Sequence, residues 1–98
     1  MRKEPSAEEV ASFKGMGFAI IELRESRGLR KVGLASKAGV GASTLHQIEL
    51  GEVDARWGTL RKLASALQIP LDALMERALE LAPGIGREAR RETLDHSA

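Results

Sequence analysis

Ser43, Thr44, His46 and Gln47 fall within one short stretch, closed by Glu49. Four kinds of chemistry come into question for such a run. His46 and Glu49 are three apart, so on a helix they would share a face and form half of a metal site. The other ligands are missing nearby: the chain has no cysteine, and the second histidine is His96, near the far end. Catalysis would need a nucleophile beside a base, or a metal, and no such constellation is present. A phosphate loop would need clustered glycines, but those at 15, 17, 28, 33, 39, 41 and 51 are spread through the chain. What remains is recognition by hydrogen bonding. A glutamine amide donates and accepts at once, and hydroxyl and imidazole groups add to it. Arg30, Lys31, Lys37 and Arg56 flank the run and could hold anions.

These side chains need a scaffold. Leu34, Ala35 and Ala38 follow helical spacing, and so do Leu45 and Ile48. Ala38-Gly39-Val40 lies between them. A glycine there ends one helix in the left-handed conformation and redirects the chain. Val40 then plugs the angle. Two short helices joined by a tight turn make a helix-turn-helix, whose second helix is shaped for a DNA major groove.

The rest of the chain predicts more helices. Ser6 and Glu9 have capping-box spacing, which predicts a short helix through about Phe13. Gly15-Met16-Gly17 predicts an interruption. A second helix is expected over about 18–27, ended by Gly28, then helices over about 31–38 and 42–50. Glu52–Arg56 reads as a polar loop. A helix over about 57–67 carries Leu60, Leu63, Ala64 and Leu67 on one stripe. Pro70 opens another over about 71–81, and Pro83-Gly84 closes it. Residues 87–98 are charged without an apolar stripe and predict a frayed helix or a disordered tail. The division expected is an N-terminal arm or short helix over 1–17, a helix-turn-helix domain over 18–82 and a tail over 83–98.

Composition supports a single small all-helical domain. The chain has 98 residues, 43% of them hydrophobic, with one tryptophan and two phenylalanines. Its core must therefore be mostly aliphatic. The N-terminus lacks an apolar segment after its basic residues, so it does not read as a signal peptide. No apolar run approaches the ~20 residues that span a bilayer. A soluble cytoplasmic protein, without membrane contact, cofactor or metal, is expected.

Net charge is only +1, but it is unevenly placed. Residues 27–62 carry seven basic against three acidic side chains, a balance of +4. Residues 1–26 and 76–98 are each at −1. Positive charge thus gathers around the turn between the two short helices, as phosphate binding requires.

From Ile20 to about Met75 the order of features resembles the lambda-repressor/Cro-like, or XRE-type, helix-turn-helix regulators. The matching pieces are Ile20-x-x-Leu23-Arg24-Glu25, Arg27-Gly28-Leu29, Leu34-Ala35, Ala38-Gly39-Val40, Thr44-Leu45 and Ile48-Glu49-x-Gly51. Thr59-Leu60, Leu63-Ala64-x-Ala66-Leu67 and Leu71-Asp72-x-Leu74 follow. Each piece is common alone; their order and spacing together are specific. The resemblance implies a five-helix DNA-binding bundle, here with an extra N-terminal segment and a C-terminal tail.

It also implies roles. Arg24 and Glu49 would form a structural ion pair between the first helix and the end of the recognition helix. Ala42, Ser43, His46 and Gln47 would face base edges, Gln47 being suited to adenine N6 and N7 and Ala42 to a thymine methyl. Arg30, Lys31, Lys37, Thr44 and Arg56 would meet phosphates. Leu71, Leu74, Met75, Ala78 and Leu81 are expected to pair two copies into a homodimer on an inverted repeat, with Val10, Phe13 and Ile85 as possible additions. The function implied is a sequence-specific, non-enzymatic transcriptional regulator, a repressor on the simplest mechanism.

Several positions depart from the family pattern. Gly41 stands where a Ser or Thr cap is usual, Ala42 where Gln or Arg is common, and Leu50 where a polar residue is common. Lys31 replaces a frequent Gln. Trp57 takes an aliphatic position and is expected to cap the core. The less polar face left by Ala42 and Leu50 supports an alternative, a protein-interaction module such as an antitoxin or anti-activator.

Overall fold

The computed structural model describes residues 4–84, and they form five helices. These are α1 (Ala7–Ser26), α2 (Lys31–Ala38), α3 (Ala42–Glu49), α4 (Trp57–Leu67) and α5 (Leu71–Leu81). No strand occurs among the described residues. The expected tail beyond Gly84, with Ile85 and His96, lies outside them.

α1 opens on a complete capping box. The Glu9 amide donates to Ser6 Oγ at 3.1 Å, and the Ser6 amide donates to the Glu9 carboxylate at 3.2 Å. The helix then runs unbroken for 20 residues, through the interruption predicted at Gly15-Met16-Gly17. Those glycines are buried and permit close contact. A Cβ on Gly15 would run into the Ala78 carbonyl oxygen of α5, and one on Gly17 would lie 2.5 Å from the Glu49 carbonyl oxygen at the end of α3. Each glycine costs a helix about 1 kcal/mol relative to alanine. Here that cost is offset by packing that a side chain would forbid. Residues 7–17 therefore belong to the bundle, with Ala11 also buried.

α1 packs along α5 and against α3; α2 packs on α3 and α4; α4 also meets α5. The largest fully buried side chains are Ile20, Leu34, Leu45, Ile48, Leu63, Leu67 and Leu74. No aromatic ring is among them, and Trp57 does not cap the core: it is 67% exposed in the first turn of α4. α5 also differs from expectation. Leu74 and Ala78 are buried in the intramolecular core, so they have no surface to offer a second copy. Met75 and Leu79 are the large exposed apolar residues of α5, while Leu71 and Leu81 are half-buried.

Two basic side chains brace the bundle from outside. Arg27 Nε donates to the Leu67 carbonyl at 2.6 Å, satisfying a carbonyl at the end of α4. Arg77 donates to both Glu22 oxygens at 2.7 Å and to Glu80 at 2.9 Å, linking α5 to α1. The hydrogen bonds from Arg77 hold the Glu22 carboxyl below the usual carboxylate range. The same bonds, with those to Glu80, raise the Arg77 guanidinium.

Candidate nucleic-acid interface

The turn between α2 and α3 is set by Gly39 at φ 71°, ψ 35°. Its amide and that of Val40 close the end of α2 by donating to Ser36 and Ala35 carbonyls at 3.2 and 3.0 Å. This is the double bond pattern that ends a helix in a left-handed residue. Val40 packs partly against the core and holds the angle.

α3 is sharply two-sided. Leu45, Ile48 and Glu49 are buried, whereas Ala42, Ser43, Thr44, His46 and Gln47 are exposed. Leu45 and Ile48 anchor the helix in the core and leave the hydrogen-bonding groups outward. Leu50, its C-cap residue, is 51% exposed.

The far end of α3 is held by Arg24. Its Nε donates to Glu49 Oε2 at 2.8 Å and Nη2 to Oε1 at 3.1 Å, while Nη1 donates to the Leu29 carbonyl at 3.0 Å. Both residues are buried, at 8% and 5% exposure. A planar guanidinium suits this two-point grip, which fixes direction as well as distance. One arginine thus locks α3 to α1 and to the loop that enters α2. Because the charges satisfy each other away from water, removing one partner would leave an uncompensated buried charge.

The helix starts fall into two groups. α1 has a side-chain cap and Glu8 and Glu9 in its first turn; α5 has Asp72 in its first turn. The N-cap residues of α2, α3 and α4 are Arg30, Gly41 and Arg56. None makes a side-chain cap bond, and none of these three first turns holds an acidic residue. The first amides of a helix lack intrahelical partners and carry positive partial charge, so an uncapped start attracts anions. Arg30, Lys37 and Arg56 are exposed and add full charges; Lys31 is half-buried. Lys31 reaches across the turn to place Nζ 2.9 Å from His46 Nδ1, joining the start of α2 to the exposed face of α3. Among the described residues no group of three or more His, Cys, Asp or Glu could hold a metal ion. No helix among them is long and apolar enough to cross a membrane.

Three features here escaped sequence reasoning. The Lys31–His46 contact joins positions fifteen apart and depends on the turn angle. The exposure of Trp57 beside Arg56 depends on what α4 packs against. The Glu22–Arg77 link joins positions 55 apart with no pattern to mark it. A general signal was available only for the helix starts: basic or neutral residues at three N-caps, against Ser6 with Glu9 at the first.

A known family matches this arrangement. The model of the helix-turn-helix domain family covers residues 16–78, and the chain belongs to that family. The match agrees with the resemblance to lambda-repressor/Cro-like regulators, and the five-helix bundle agrees with it too. Comparison with curated proteins finds none that matches.

Proposed function

We propose that this protein is a sequence-specific DNA-binding transcriptional regulator that sets α3 in the major groove. The observation that carries the reading is the exposed run Ser43, Thr44, His46 and Gln47 on a helix anchored by Leu45, Ile48 and the Arg24–Glu49 pair. Membership of the helix-turn-helix family supports it. Gln47 bonds adenine N6 and N7; Ser43 and His46 contact neighbouring edges; Ala42 meets a thymine methyl. Thr44, Arg30, Lys31, Lys37 and Arg56 hold phosphates, with the open starts of α2, α3 and α4 behind them.

The protein acts in the cytoplasm as a repressor, occupying a promoter and excluding polymerase, and neither catalysis nor a cofactor enters this reading. One eight-residue helix touches few bases. Two copies related by a two-fold axis would place a second helix about 10 bp away, or a multiple of that, on an inverted repeat. Leu71, Met75 and Leu81 are the pairing residues, joined by Leu79; Leu74 and Ala78 are not. Sedimentation at micromolar concentration is expected to give a dimer, and a monomer would remove this part of the reading.

A second reading has its own observation. Ala42 and Leu50 leave apolar surface at the two ends of α3, with Leu50 51% exposed. In that reading α3 covers a protein partner. Fluorescence anisotropy with the DNA upstream of the gene, against scrambled DNA at two salt concentrations, decides between them. Selective, salt-sensitive binding lost in Gln47→Ala supports the regulator; no binding even at low salt supports the protein partner.

A further inference from the structure

We infer that Lys31 is a positioning residue that fixes the tautomer of His46, so that α3 presents a ring N–H donor which rejects cytosine. The inference rests on the regulator reading and says what one of its side chains selects. Lys31 Nζ lies 2.9 Å from His46 Nδ1. A lysine ammonium has three donors and no acceptor, so Nδ1 must be the acceptor and carry the lone pair. In a neutral imidazole the remaining proton then sits on Nε2. His46 is exposed, and Nε2 is the ring nitrogen that Lys31 leaves open.

The consequence for recognition follows from the groove edges. Guanine offers N7 and O6 as acceptors, adenine N7 and thymine O4, whereas cytosine offers only its N4 donor. An Nε2–H therefore pairs with guanine, adenine or thymine and meets cytosine donor to donor. The opposite tautomer would accept from cytosine N4 or adenine N6. Lys31 keeps two further donors for a phosphate, so positioning His46 does not compete with holding the backbone.

The tautomer is read in the free full-length protein from the ring nitrogen shifts at about pH 8, above the ordinary imidazole range. His96 is told apart because its signals persist in His46→Ala. Wild type and Lys31→Arg are expected to hold the Nε2–H form, and Lys31→Met to gain Nδ1–H form. Selection from randomised duplexes then reads base preference rather than total affinity, which any lost phosphate contact would lower. At one position cytosine is expected to be disfavoured about tenfold in wild type and Lys31→Arg, and not in Lys31→Met or His46→Ala. An Nδ1–H ring in wild type, a Lys31→Met ring like wild type, or a Lys31→Met preference like wild type would each overturn the inference. A wild type that selects no sequence overturns the regulator reading and the base-reading half of this one, while the ring shifts still decide what Lys31 does to His46.

Discussion

The start of α1 and the start of α3 meet the same physical requirement in opposite ways. Both leave backbone amides without helical partners. At α1 the chain satisfies two of them itself, through Ser6 and Glu9, and adds Glu8 against the helix dipole. At α3 the cap is Gly41, which has no side chain to offer, and no carboxylate follows in the first turn. α2 and α4 repeat the open pattern with Arg30 and Arg56. The difference separates a region that holds the bundle together from one left ready for an external anion. The same division runs through the ion pairs. Arg24–Glu49 is buried and fixes the direction of α3, while Arg77–Glu22 lies at the surface and ties α5 to α1.

The largest effect is expected at the buried pair. Arg24→Met is expected to lower unfolding free energy by about 3–5 kcal/mol, read by urea denaturation, because Glu49 would be left charged and unpaired. Arg77→Met should cost far less, as exposed, solvent-screened pairs do. Equal costs would contradict the assignment of one pair to the core and the other to the surface.

Substitutions at the two helix starts come next. Ser6→Ala is expected to lower stability by about 1 kcal/mol and leave DNA affinity unchanged. Gly41→Asp supplies a cap where the backbone is already extended and a Cβ meets only ordinary contacts with Thr44. It should raise stability by a few tenths of a kcal/mol, as glycine-to-cap changes do, yet weaken DNA binding by repelling phosphate. Opposite signs in thermal unfolding and in anisotropy are the result to look for.

A gain in stability alone is expected away from both regions. Gln68 ends α4 in the left-handed region at φ 61°, where a side chain is strained. Gln68→Gly should stabilise by up to about 1 kcal/mol without altering binding. The smallest effect concerns pH. Hydrogen bonding to Arg77 lowers the Glu22 carboxyl below its ordinary value of 4.5. A depressed folded-state value contributes stability above the unfolded value and loses it as pH falls through the folded one. Glu22→Gln should therefore slightly flatten the fall in stability below about pH 4.5, measured as unfolding midpoints across that range.

Much of the fold was legible because its signals are local. Apolar spacing marked the helices after Gly28, and Ser6 with Glu9 marked the first start. Gly15 and Gly17 misled because a sequence reveals a glycine's cost to a helix but not the neighbour that needs the room. Ala78 and Glu49, which fill that room, are more than thirty residues away. Trp57 and α5 misled for a related reason. Periodicity says that α5 has an apolar stripe, but not that α1 covers Leu74 and Ala78 while leaving Met75 and Leu79 outside. Arg24 and Glu49 were connected only through the family resemblance, since nothing in a separation of 25 residues pairs them. The Lys31–His46 contact needed the turn angle itself.

The most direct test of the division is amide chemical-shift mapping as a duplex carrying the upstream DNA is added to the full-length protein. The largest shifts are expected at the starts of α2, α3 and α4, around Lys31, residues 42–47 and Trp57, while Glu8, Glu9 and the outer face of α5 stay still. Shifts concentrated on α1 and α5, with the amides of α3 unmoved, would contradict it.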